Sequence, residues 1–285
     1  MKGVILAAGH GSRMSTITYN AYPKEMLPIG NVPTIRFPLE AIKLADINQV
    51  MIVIAPQTKH GIIDGLQSGK KFGVDICYIV QENDASGLTG IGRAILATKN
   101  WIQDEDFLVA CGDTILCEFS FKNPLNCLKS LVDVHSSVDS IATILVHPVF
   151  TDPSRFGVIK FKNLVSDKVI FGELESLVEK PKPDVAKKYK MNGCYFTISG
   201  YYIFNPKIFE YIEKTKPGVK NEVQITDSIS LALENGEKVI GVIHGIKKNN
   251  IIIPYNYWDV GIPEDYKNAI KVILEKEIEN FLLFI

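Results

Sequence analysis

Apolar residues fall along this chain in two rhythms. Residues 2–8, 49–55, 74–80 and 107–111 are short, nearly unbroken apolar runs, the pattern of strands covered on both faces. The segments 34–45, 59–66 and 91–102 instead space Ile, Leu and Ala three and four residues apart, as a helix with one apolar face requires. Strand and helix alternating in this way predict right-handed βαβ units and an α/β fold, with a parallel sheet flanked by helices. Ligands then belong at the carboxyl ends of the strands, where strand order reverses.

Beyond residue 120 the pattern changes. Runs at 140–146, 156–161, 169–178 and 196–204, several with period two, are separated by turns such as Asp152-Pro153 and Lys180-Pro181-Lys182-Pro183. They predict an antiparallel addition laid over the parallel sheet. Helices at 206–214 and 224–235 and strands at 239–244 and 251–255 follow. From Pro263, the residues Tyr266, Ala269, Ile270, Ile273, Leu274, Ile278, Phe281 and Leu282 recur at helical spacing. The chain therefore divides into a domain over 1–262, with halves near 1–120 and 121–262, and a terminal helix over 263–285. That helix either packs on its own domain or forms a subunit interface.

Composition narrows the possibilities. With 285 residues, 46% hydrophobic and 22% charged, the chain can bury a large core. Lys and Arg number 31 against 32 Asp and Glu, so no broad basic surface points to nucleic acid. No run approaches the ~18 apolar residues of a membrane helix. The short apolar start runs into glycines rather than forming a signal peptide, and a cytoplasmic location without membrane attachment is expected. Five scattered cysteines, Cys77, Cys111, Cys117, Cys127 and Cys194, form no C-x-x-C pair and read as buried thiols.

Candidate chemistry begins directly after the first strand. In Leu6-Ala7-Ala8-Gly9-His10-Gly11-Ser12-Arg13, the glycines permit a sharp turn with exposed N–H groups and Arg13 adds a forked donor suited to phosphate. A dinucleotide fingerprint would need glycine where Met14 stands, and no G-x-x-x-x-G-K-[ST] motif occurs. Ten residues beyond, Tyr22-Pro23-Lys24-Glu25-Met26-Leu27-Pro28 holds Lys24 in a proline-stiffened loop near the same anion.

With both motifs present, the sequence resembles the sugar-1-phosphate nucleotidylyltransferases, over essentially its whole length. The resemblance implies a Rossmann-like mixed, mostly parallel sheet with an inserted antiparallel sugar-binding lobe. It also implies a Mg²⁺-dependent reaction of a nucleoside triphosphate with a hexose 1-phosphate, carried out by a homo-oligomer, either dimer or tetramer. Leu6, Ala8, Gly9, Gly11, Ser12, Arg13, Gln81 and Asp113 would then contact the nucleotide, with Arg13, Lys24 and Lys180 acting catalytically. Asp113, in Gly112-Asp113, and Asp259, in Trp258-Asp259-Val260-Gly261, would hold the metal. Gly90 matches the glycine lining the base pocket, but a longer segment after Gln81 leaves Gly87 as a rival. For the sugar the resemblance implies Gly157 in Arg155-Phe156-Gly157-Val158, Glu179 and Lys180 in Glu179-Lys180-Pro181, and also Gly200, Glu222 and Thr226. The motifs are nearest to UTP:glucose-1-phosphate uridylyltransferases, with a thymidylyl or dual enzyme as the alternative. A non-catalytic regulatory subunit of the same fold is the reading from a different class.

Overall fold

The computed structural model describes residues 1–56, 59–82, 87–117, 126–166, 168–218, 221–249 and 251–275. The first half carries β1 (Lys2–Ala7), β2 (Pro28–Ile29), β3 (Val32–Pro33), β4 (Gln49–Ile54), β5 (Asp75–Val80), β6 (Phe107–Cys111) and β7 (Thr114–Cys117). The second carries β8 (Ala142–Val149), β9 (Gly157–Phe161), β10 (Val165–Ser166), β11 (Ile170–Glu179), β12 (Tyr195–Phe204), β13 (Val239–Ile243), β14 (Gly245–Lys248), β15 (Ile251–Pro254) and β16 (Asn256–Asp259). Ten strands form one sheet in the order β10-β11-β13-β8-β12-β6-β1-β4-β5, with β9 pairing β11 and β12.

β6, β1, β4 and β5 are mutually parallel. Neighbouring residues of one strand feed opposite cores: Val4 belongs to one apolar cluster and Ile5 to the other, both fully buried. That is why these strands read as unbroken apolar runs rather than alternating ones. β1 lies between β4 and β6, so the strand order reverses beside it and a crevice opens where β1 and β6 end.

Two expectations require correction. The second-half strands are not laid over the parallel sheet; β12 pairs antiparallel with β6 and extends it edge to edge, which satisfies the β6 edge with main-chain bonds. The helix expected over 91–102 is two, Ile91–Leu96 and Lys99–Ile102. Between them Thr98 donates its hydroxyl to the Ile95 carbonyl, a local bond that competes with helix continuation. The helix Asn126–Ser137 was not anticipated, although Leu128, Leu131 and Val134 bury one face of it at three-residue spacing.

The terminal helix, described over Pro263–Glu275, packs on its own domain. Tyr266, Ala269 and Ile273 are buried against Met14, Leu27, Phe37 and Trp258, each large side chain contributing on the order of 1.5–3 kcal/mol. Ile278, Phe281 and Leu282 lie outside the described residues. Of the thiols, Cys194 is buried, whereas Cys77 and Cys111 are only half-buried; the side chains of Cys117 and Cys127 lie outside the described set. Among the described residues no helix is long and apolar enough to cross a membrane.

Candidate active site

A cleft of about 400 Å³ opens at the carboxyl ends of β1, β4, β5 and β6 and runs under the second-half strands. Leu6, Ala8, Gly9, Arg13, Lys24, Gln81, Gly90 and Asp113 line one end, and Gly157, Glu179, Lys180, Gly200, Glu222 and Thr226 the other. Asp259 lines it as well, although nearly 150 residues separate it from Asp113.

Main-chain pairing makes that convergence. β16 pairs antiparallel with β7, setting Asp259 opposite Thr114, and the Val260 N–H donates to the Asp113 carbonyl. A methyl group built on Gly261 would lie 2.8 Å from Asp259 Oδ1 and 3.5 Å from both Asp113 Oδ2 and Arg13 Nη2. The two carboxylates and the guanidinium therefore face one point.

Lys24 stands on a short 3₁₀ turn, Lys24–Met26, that follows Pro23 and is pinned by the Ile35 N–H donating to the Glu25 carbonyl at 2.8 Å. Its ammonium donates to Asp113 Oδ2, and side-chain exposures of 13% and 15% leave both groups largely dehydrated. Burial alone would raise Asp113, but the charge and hydrogen bond of Lys24, helped by Arg13, hold its carboxyl below the usual range. Lys24 is the mirror case: burial lowers it, and Asp113 and Glu25 more than reverse that, keeping it cationic. Asp259 goes the other way, because burial and then the Asp113 charge push its carboxyl up to about 6. Two facing carboxylates with one left proton-hungry form an oxygen-only donor pair of the kind a hard divalent cation takes. Among the described residues no third Asp, Glu, His or Cys completes a cage, so further coordination would fall to phosphate oxygens and water.

The two ends of the cleft are stitched together across the chain. The Val223 N–H donates to the Thr89 carbonyl and the Gly92 N–H to the Val223 carbonyl, both at 2.8 Å, bringing Gly90 beside Glu222. Gly90 sits at φ +101°, and a Cβ there would meet the Val223 carbonyl oxygen at 2.7 Å, so only glycine fits. Gly200 marks a bulge in β12, with φ +81° and Cys111 Sγ 3.1 Å from where a Cβ would stand. At the far end Gly157 packs on Glu179 Oε2 and Thr226, and the buried Thr226 hydroxyl has no hydrogen-bond partner among the described residues. Lys180 bonds Glu179 at 2.9 Å.

Nucleotidyl transferase is the description of the family model that matches residues 2–276. The chain belongs to that family. It is 31% identical over 277 residues to the low-salt glycan biosynthesis nucleotidyltransferase Agl11 of Haloferax volcanii, covering 96% of this chain and 66% of that protein. A glucose-1-phosphate thymidylyltransferase of Neisseria meningitidis is 27% identical over 85% of this chain and 75% of its own length. A UDP-glucose pyrophosphorylase crystallised with UDP-glucose superposes with a TM-score of 0.78 at 25% identity, covering 97% of this chain and 99% of that one. The fold is that of the nucleotide-diphospho-sugar transferases, and the chain is a sugar-1-phosphate nucleotidyltransferase.

Within this nucleotidyl transferase, three residues expected from sequence do not line the cleft. Gly11, at φ +67°, packs on the aliphatic stem of Lys24, Ser12 is exposed at the start of a 3₁₀ turn, and Gly87 lies nearest the Asn221 side chain. Of the rival glycines, Gly90 is the one at the cleft. Sequence reasoning missed Tyr202, Gln224 and Tyr257, which line the cleft, and the buried Glu25–Lys59 pair at 2.6 Å behind Lys24. Lys59 carried a signal as the lysine opening a predicted helix; its burial did not.

Proposed function

We propose that this chain transfers the uridylyl group of UTP to glucose 1-phosphate and releases pyrophosphate. An oxygen of the sugar phosphate attacks the α-phosphorus in line, and the bond from that phosphorus to the bridging oxygen of the β-phosphate breaks. Phosphate oxygens are nucleophilic at neutral pH, so no side chain need act as base and the protein contributes position and charge. Arg13 takes charge on the departing pyrophosphate, Lys24 orients the triphosphate, and Lys180 grips the sugar phosphate while Glu179 and Thr226 accept and donate hydrogen bonds to sugar hydroxyls. Mg²⁺ held by Asp113 and Asp259 would supply neutralisation between the two phosphates.

The observation that carries this reading is the convergence of Arg13, Lys24, Asp113 and Asp259 on one point between the two ends of the cleft. A regulatory subunit without activity would have no use for so costly a largely dehydrated pair as Lys24 and Asp113 at that point. The choice of UTP rests on the motifs around Lys24 and Lys180 and on the likeness to a pyrophosphorylase carrying UDP-glucose. The Neisseria relative favours dTTP as the second reading, since one methyl in a base pocket discriminates by only ~1–3 kcal/mol.

Pyrophosphate release from UTP, dTTP, GTP, CTP and ATP with glucose 1-phosphate, with and without Mg²⁺, tests both. The highest kcat/KM is expected for UTP, with dTTP next. A tenfold preference for dTTP would replace the nucleotide, and no release from any of the five would return the chain to the non-catalytic class.

A further inference from the structure

The charges lining the cleft do not match its proposed cargo. Five carboxylates, Glu25, Asp113, Glu179, Glu222 and Asp259, stand against four cations, Arg13, Lys24, Arg155 and Lys180. Two polyanions must nevertheless be held side by side there, so each cation matters. Three have roles above; Arg155 has none.

Lys24 and Lys180 rest on carboxylates that themselves line the cleft. Arg155 differs, because its Nη2 donates at 2.7 Å to Asp265 Oδ2 and Asp265 is not among the lining residues. Asp265 occupies the first turn of the helix Pro263–Glu275, an element anchored through Tyr266, Ala269 and Ile273. Arg155 directly precedes β9 and keeps 41% of its side chain exposed. Its guanidinium lies 5.6 Å from the Phe156 ring, and Phe156 meets Tyr257, two residues before Asp259, edge-on at 6.4 Å. On its other side Gly157 packs against Glu179 and Thr226. Arg155 thus stands between the acidic pair and the sugar end, the stretch a sugar phosphate must occupy to reach the α-phosphorus.

We propose that Arg155 is a further phosphate-binding residue for the sugar 1-phosphate and that Asp265 is its positioning residue. A guanidinium offers five N–H donors in a planar fork, so one edge can stay on Asp265 while the other meets a phosphate. The proposal rests on the transferase reading above.

Initial rates of the full chain with UTP and Mg²⁺ at varied glucose 1-phosphate test it, alongside thermal melts. Arg155→Gln is expected to raise the KM for glucose 1-phosphate by roughly 10- to 100-fold, the worth of a charged hydrogen bond. The KM for UTP and the melting temperature should stay close to wild type, and Arg155→Lys should recover part of the loss. Asp265→Asn should raise the same KM several-fold, and the double variant should be no worse than Arg155→Gln alone. An unchanged sugar-phosphate KM in Arg155→Gln, or equal losses for both substrates, would overturn the assignment to Arg155; additive losses in the double variant would overturn the role of Asp265. A wild-type chain inactive with all five triphosphates overturns the transferase reading instead, and this inference with it.

Discussion

The two ends of the cleft treat charge differently. At the phosphate end Lys24 and Asp113 are almost enclosed, and each group's ionisation is set by its neighbours. At the sugar end Lys180 pairs with Glu179 while 54% of its side chain is in water. A dehydrated cluster is fixed in geometry and strong in field, because few solvent dipoles screen it. A half-hydrated pair is weaker and can yield to a ligand, since exposed ion pairs contribute ~0–1 kcal/mol. On the proposed reading, the chemistry shared by any nucleotidyl transfer belongs to the rigid end, and the recognition that varies with the sugar to the yielding one.

Variants at the phosphate end should show the larger losses. Asp113→Asn is expected to lower kcat by on the order of 10²–10³-fold, as for other lost transition-state contacts; near wild-type turnover would break the comparison at its strongest point. Gly261→Ala comes next. Its backbone is not in the left-handed region, but the added methyl would crowd Asp259 Oδ1 at 2.8 Å, so steady-state kinetics should show a fall of roughly 10-fold or more with the fold retained.

Lys180→Ala should act on the other term, raising the KM for the sugar phosphate about tenfold and leaving the KM for UTP nearly unchanged. A purely kcat effect there would erase the distinction between the two ends.

Asp259→Asn sharpens the comparison through pH. The carboxyl releases its proton near 6 in the folded chain against 3.8 as its ordinary value, so between those values the folded state holds more protons than the unfolded one. Stability therefore falls as pH rises through that window and stays reduced above it. The variant should melt about 2–5 °C higher than wild type at pH 8, with the gain vanishing near pH 4. Mg²⁺ at pH 8 should raise the melting temperature of wild type and not of the variant; equal effects on both would remove Asp259 from the metal.

Much of the nucleotide end was legible because it is local. The run 2–8, Gly9 and the proline-framed Lys24 lie within about one βα unit and all reach the cleft, whereas Gly11 and Ser12 of the same turn do not line it. The strands of the second half were legible too, through period two, but not their place in the sheet, since pairing partners leave no mark on a strand's own sequence. Thr98 hid a helix break, and the segment after Gln81 left Gly87 as a rival to Gly90, of which only Gly90 lines the cleft, beside the strand-like bonds to residues 221–223.

By itself the sequence determined the parallel strands of the first half, which of their ends face a cleft, and which charged residues the resemblance marks as a set. Only the tertiary structure decided that Asp259 meets Asp113, that Glu25 is answered by Lys59, and that Arg155 leans on the terminal helix. Propensity and periodicity act over a few residues along the chain, whereas these contacts depend on strand order and register, which are settled when the whole sheet closes over its two cores.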